Sequence, residues 1–250
     1  MCRLLAFVSN APTTACELVG EGEFESFLAL SLEHSDGWGM AWHDGDGELN
    51  VEKDVEAAHA SDLLDKLSST TEMDAMVLHL RKASPGMRVA FENTHPFPSG
   101  ALAFAHNGWI RPVAELDRLL APAARDALRG TTDSERYFRL LLAGVEETGS
   151  LELALPPLLD RLRGSFRYNA LNFVLLTERS LYAVCDFSQE AADRRGDPDY
   201  YTLGYKRTPD AVVVGSSGRW GDRSTWSSLA NHQALVVDRD SLETKLLQVG

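Results

Sequence analysis

Met1-Cys2-Arg3-Leu4-Leu5-Ala6-Phe7-Val8 opens the chain. Its apolar run, Leu4 to Val8, is broken by Ser9-Asn10-Ala11-Pro12 and is too short for a signal peptide, so Arg3 to Ser9 reads as a buried strand. Cys2 stands at the start of that strand. Removal of Met1 would leave a thiol and a free α-amine on one residue. An α-amine titrates near pH ~7.7–8, so at neutral pH a useful fraction can accept the thiol proton. The thiolate so formed is the nucleophile. The plainer alternative is that Cys2 is a small apolar residue opening a buried strand.

Beyond this strand the spacing predicts a helix over Phe24 to Leu32 and a strand over Gly37 to His43. A turn at Asp44-Gly45-Asp46-Gly47 then leads to a partner strand, Glu48 to Lys53. Ser61 to Leu67 reads as a helix and Asp74 to Leu80 as a strand. Ala101 to His106 and Trp109 to Arg111 flank Asn107-Gly108. Helices follow near Val113 to Leu120 and Asp133 to Glu147. Leu151 to Arg163 is interrupted by Pro156-Pro157, which should begin or kink a helix there. After Gly164 the pattern is β, at Tyr168 to Thr177, Leu181 to Asp186, Tyr201 to Tyr205, Ala211 to Gly215, Ala234 to Val237 and Lys245 to Val249. Gln189 to Asp199 and Gly215 to Ser228 read as surface loops. Many antiparallel strands with helices grouped between two strand-rich regions predict an α+β fold of two packed sheets with helices outside.

The chain has 250 residues, 44% of them hydrophobic, enough for a large core in one domain spanning residues 1–250. Its net charge of −13 repels phosphate backbones and anionic lipid surfaces, so neither nucleic acid nor membrane is an expected partner. No apolar run approaches a membrane span. Cys2, Cys16 and Cys185 are odd in number and widely spaced, which suggests neither a disulfide framework nor a thiolate metal site and fits a reducing cytoplasm. The seven histidines lack metal-ligand spacing, so no metal or other cofactor is expected.

Five motifs follow in order: His34-Ser35-Asp36-Gly37-Trp38-Gly39-Met40; Leu78-His79-Leu80-Arg81-Lys82-Ala83-Ser84; Glu92-Asn93-Thr94-His95-Pro96-Phe97; Phe104-Ala105-His106-Asn107-Gly108-Trp109; and Thr131-Thr132-Asp133-Ser134-Glu135. Together with Cys2 they resemble a class II glutamine amidotransferase domain over roughly residues 2 to 140. The resemblance implies the four-layer αββα sandwich of the N-terminal nucleophile hydrolases. It also implies a terminal cysteine that attacks the side-chain amide of glutamine through a γ-glutamyl thioester.

Each matching position carries an implied role and a simpler alternative. Asn107 and Gly108 match the oxyanion hole, for which a side-chain and a backbone N–H are suitable donors. Asn-Gly between apolar strands is equally a hairpin signal. Arg81 matches the arginine that binds the substrate α-carboxylate, with a rigid two-pronged donor. It could equally be a solvated charge at a strand end. Ser84 stands where the family often has threonine, with a contact to the same carboxylate. Asp133 matches the partner of the substrate α-ammonium, yet it also lies in a capping box where an acid near a helix N-terminus is favourable without a ligand. His95 and His106 read as structural groups, and Trp38 and Trp42 as one packed sheet face with at most a place in the site walls.

After these motifs the remaining β-rich half is needed to complete the sandwich, so no synthase domain is expected on this chain. The resemblance therefore implies a stand-alone glutaminase or γ-glutamyl amide hydrolase, or one that hands ammonia to a separate synthase subunit. The motif set is most similar to stand-alone members, a branch that includes the γ-glutamyl hydrolase of ergothioneine synthesis. Gly215-Ser216-Ser217-Gly218-Arg219-Trp220 lacks the Ser-Glu dipeptide of that branch. Arg219, Trp220 and Trp226 are candidates for a leaving-group pocket, with loop tryptophans packed on the sheet as the plainer reading. Two alternatives stand: a non-catalytic γ-glutamyl or amino-acid sensor, and an amidase of the same fold with a different acyl group.

Overall fold

The computed structural model describes residues 2–43, 47–197, 199–216 and 223–250. Residues 44–46 of the expected turn at 44–47, with Arg219 and Trp220, lie outside them. The first half contains β1 (Arg3–Thr13), α1 (Ala15–Val19), α2 (Glu21–Ala29), β2 (Trp38–His43), β3 (Leu49–Asp54), α3 (Asp62–Thr70), β4 (Met73–Leu80), β5 (Phe97–Ser99) and β6 (Leu102–Arg111). Four helices follow: α4 (Val113–Leu119), α5 (Pro122–Asp126), α6 (Asp133–Thr148) and α7 (Leu151–Ser165). The chain then returns to strands, with one short helix: β7 (Arg167–Leu176), β8 (Ser180–Cys185), α8 (Gln189–Asp193), β9 (Leu203–Arg207), β10 (Ala211–Ser216), β11 (Ser227–Ser228), β12 (Gln233–Asp238) and β13 (Thr244–Gln248).

Two antiparallel sheets form, in the orders β11-β9-β10-β1-β4-β2-β3 and β13-β12-β8-β7-β6-β5. The opening strand is thus central in the first, between β10 and β4. Because successive side chains point to opposite faces, each central strand feeds two cores. Leu4, Ala6 and Val8 join Ala75 and Val77 of β4, Ala103 and Ala105 of β6, and Ala170 and Val174 of β7 in the layer between the sheets. Leu5 and Phe7 instead meet α2 through Phe24 and Phe27. On the other side, Phe104 and Phe173 meet α6 and α7 through Tyr137, Phe138 and Leu155. The result is the expected αββα order.

Local chemistry sets the helix ends. Thr14, Ser61, Thr132 and Ser188 each accept a backbone N–H at a helix start. Gly149 closes α6 at φ 72°, a conformation most side chains resist.

Three local expectations are corrected. Asn107-Gly108 is no hairpin: both lie inside β6, opposite Asn172 and Leu171 of β7, and the register shift comes between Gly108 and Ile110. A long partner strand overrides the two-residue turn signal. The helix α7 begins at Leu151 and runs through Pro156 and Pro157, because its apolar face, Ala154, Leu155, Leu159 and Leu162, is wholly buried. Gln189 to Asp199 contains the short helix α8.

Candidate active site

The face that each strand turns inward brings the site residues together. On β1 the inward series Val8, Ala6, Leu4 extends to Cys2; on β4, Ala75 and Val77 extend to His79 and Arg81; on β6, Ala103 and Ala105 extend to Asn107. Cys2, Arg81 and Asn107 therefore stand at one end of the layer between the sheets, and all three are buried.

The Cys2 thiol lies against the loop after β4, 3.4 Å from the Lys82 N–H and 3.7 Å from the Lys82 carbonyl. Burial pushes its pKa up, while the Lys82 N–H and the charges of Arg81 and Arg3 pull the other way. Arg81 donates from Nη1 to the Asp36 carbonyl and from Nη2 to the Arg88 carbonyl, each at 3.1 Å. Those are two of the five N–H donors a guanidinium has. Asp36 completes the frame by accepting the Ala83 N–H on its carboxylate at 2.8 Å. Gly37, at φ 124°, lets the chain pass the Asp54 carbonyl, where a Cβ would come within 2.6 Å. Ser84 is half-buried in the same loop, its carbonyl closing a turn with Met87.

On the facing sheet, the Asn107 Oδ1 is buried and has no hydrogen-bond partner among the described residues. A buried, unsatisfied amide oxygen costs about 1–3 kcal/mol. Gly108 is required by close approach, because a Cβ there would sit 1.8 Å from the Ala170 carbonyl. At the irregularity that follows, Trp109 N–H donates to Asn169 Oδ1 at 2.7 Å and Ile110 N–H donates to Asp133 Oδ2 at 2.5 Å. Asp133 is therefore buried at the start of α6, tied to β6 two residues past Gly108. The cap itself is made by Thr132, while the Glu135 carboxylate accepts from Arg129 and Gly130 rather than from Thr132. Asn93 links the two sides: its Nδ2 donates to the Arg88 carbonyl, which also holds Arg81, and to the Thr131 hydroxyl.

Behind these groups lies a histidine cluster that the sequence did not signal. The His79 and His95 rings stack at 4.2 Å. His79 Nε2 donates to the His106 carbonyl, and His106 Nε2 donates to the Ala170 carbonyl, leaving His106 Nδ1 to accept from the Ser134 hydroxyl. Burial, then Arg81, brings the His79 pKa down to about 3; burial also holds His95 well below its usual value. Both are neutral at pH 7. Among the described residues, no three His, Cys, Asp or Glu side chains converge to hold a metal.

Trp38, Trp42 and Met40 pack under the helices on the outer face of the first sheet, so they do not wall the site. Trp226 likewise packs on that outer core and lines a cavity of about 300 Å³ with Ser9 and Val213. It is not next to Cys2.

Known structures share this architecture. A glutamine aminotransferase class-II domain protein from Silicibacter pomeroyi is similar at 19% identity and TM-score 0.68, with all of both chains covered. The glutamine phosphoribosylpyrophosphate amidotransferase from B. subtilis is similar at 19% identity and TM-score 0.69; this chain spans 49% of its length. A predicted glutamine amidotransferase from Pseudomonas aeruginosa PA01 is similar at 21% identity and TM-score 0.59, over 98% of this chain. Among curated sequences none matches. No helix among the described residues is long and apolar enough to cross a membrane. The sequence model described as "Glutamine amidotransferases class-II" matches residues 1–202, and the chain belongs to that family, whose chemistry is hydrolysis or transfer of the glutamine amide.

Proposed function

We propose that this chain, as one domain over residues 1–250, hydrolyses the γ-amide of glutamine or of a γ-glutamyl amine in the cytoplasm, with Cys2 as nucleophile. The observation that carries the reading is the meeting of a buried thiol, a buried guanidinium and the buried Asn107 side chain at one end of an otherwise apolar layer.

Loss of Met1 frees the α-amine of Cys2, which takes the thiol proton directly or through a water. A local base is needed because burial raises the thiol pKa. The sulfur attacks the γ-carbonyl carbon, and the developing oxyanion is held by the Asn107 side-chain N–H and the Gly108 N–H. Collapse of the intermediate expels ammonia or an amine, which takes the proton back from the α-ammonium. Water then cleaves the γ-glutamyl thioester and restores the thiol. Arg81 binds the substrate α-carboxylate with its remaining donors, helped by Ser84, and Asp133 receives the α-ammonium. Released ammonia is either lost or passed to a separate synthase subunit.

Intact mass before and after treatment with 6-diazo-5-oxonorleucine, with peptide mapping, tests this. The expected result is loss of Met1 and one glutamyl-sized adduct on Cys2, blocked by glutamine. Cys2→Ala should take no adduct and lose at least about 10³-fold in turnover. Retained Met1 with no adduct would overturn the mechanism.

A further inference from the structure

In the first sheet β4, which leads to Arg81, flanks β1 on one side, and β10 and β9 lie on the other. In the second sheet β5 flanks β6 on one side and β7 on the other. Opposite the Arg81 side, the ends of β6 and β7 and residues of and after α8 border two adjoining open hollows of about 460 and 290 Å³. Both are lined by Trp109, Arg167 and Arg194, and the larger also by Arg195 and Tyr201.

Residues adjoining both halves of the proposed machinery line or flank this cleft. Trp109 directly follows Gly108 and is fixed by its N–H bond to Asn169. On the other wall Tyr201 makes an edge contact with Tyr200, and the Tyr200 ring carries the Arg195 guanidinium at 4.3 Å and that of Arg3, the neighbour of Cys2, at 4.8 Å.

The cleft is basic in a chain of net charge −13. Its lining carboxylate, Glu190, is paired with Arg194 at 3.2 Å. Arg167, exposed at the strand end, stands directly opposite Arg111 in the β6–β7 register, a like-charge pair that an anion bound beside it would relieve. Among the described residues neither Arg111, Arg167 nor Arg195 has a carboxylate partner. Guanidinium groups grip carboxylates in a two-pronged fashion, and the Trp109 and Tyr201 rings supply flat apolar walls.

We propose that this cleft is the leaving-group subsite and that it selects γ-glutamyl amides whose amine carries a carboxylate, gripped by Arg167 and Arg195 beside Trp109. The proposal rests on the γ-glutamyl hydrolase reading above, with glutamate held on the Arg81 side.

The test compares γ-glutamyl-L-phenylalanine with γ-glutamyl-phenethylamide, which share the ring and differ in the carboxylate. At low ionic strength kcat/KM should favour the first about tenfold, and high salt should shrink that ratio. In the double variant Arg167→Gln, Arg195→Gln the ratio should fall to near one. Arg179→Gln, the same charge change on the turn beyond the far end of β7, should keep it. Glutamine turnover with equal rates for the two amides, or a ratio unmoved by the double variant, overturns the subsite while the hydrolase reading stands. Absence of turnover on glutamine and both amides removes the hydrolase reading, and the subsite with it.

Discussion

The layer between the two sheets has a dry half and a polar half, built from the same strands. Toward one end it is Val8, Ala6, Ala75, Val77, Ala103, Ala105, Val174 and Leu176, all buried. One or two inward positions further along, it is Cys2, His79, Arg81, Asn107 and Asn172. Secondary structure does not change between them. The alanines in the dry half allow the sheets close approach and efficient packing. The polar half spends part of that stability on unsatisfied ring nitrogens at His79 and His95 and on the Asn107 oxygen. Unpaired buried polar atoms persist where something other than stability maintains them. Asn172 shows the contrast, since both polar atoms of its side chain have partners, Nδ2 donating to the Tyr201 carbonyl and Oδ1 accepting from Asp186 N–H.

Substitutions that separate the halves should behave oppositely. Asn107→Ala removes the proposed oxyanion donor and should lower kcat about 10²–10³-fold, or ~2.7–4 kcal/mol of barrier, with far less change in KM. Steady-state glutamine hydrolysis reads this, and a urea midpoint that is unchanged or higher is expected because an unsatisfied group is lost. Val77→Ala should do the reverse. It removes two buried methyl groups, costs about 2 kcal/mol in urea unfolding, and leaves kcat within about twofold. Equal effects of both variants on both readouts would mean that the halves are one cooperative unit.

Acid provides the smallest and most selective probe. His79 titrates near 3 in the fold against 6.5 for the ordinary side chain, so between those values the unfolded chain binds more protons. Stability from this neutral histidine is fully present above pH 6.5 and is lost as pH falls below it. From about pH 7.5 to 5.5 the loss is about 1.4 kcal/mol for one such group. Urea midpoints at the two pH values should show a gap that His79→Gln narrows by about that amount and Val77→Ala leaves alone.

Much of this was legible in the chain. Arg3 to Ser9, Asp74 to Leu80 and Tyr168 to Thr177 read as strands because period and composition agree. Asp133 to Glu147 reads as a helix because its start carries its own cap. Cys2, Arg81 and Asn107 were singled out by motif, and the structure brings them to one end of one layer. Trp38 and Trp42 read as one packed sheet face and are that, on the outer core, where Trp226 packs as well. The arginine cleft had only a faint signal, Arg194-Arg195 in an acidic chain, because Trp109, Arg167 and Tyr200 are distant in sequence.

The sequence by itself determined the alternation of the strands, the helix caps and the order of the site motifs, all of which act over a few residues. Only the tertiary structure decided that Asn107-Gly108 lies within a strand rather than a turn. The long pairing with β7 outweighs a local preference, and Gly108 is there to let the Ala170 carbonyl approach. It likewise decided that α7 runs through two prolines, because burying Ala154, Leu155, Leu159 and Leu162 against the second sheet offsets the lost backbone hydrogen bonds. Which face of each strand meets the opposite sheet is a long-range choice, and it put a cysteine and an asparagine more than a hundred residues apart on facing surfaces.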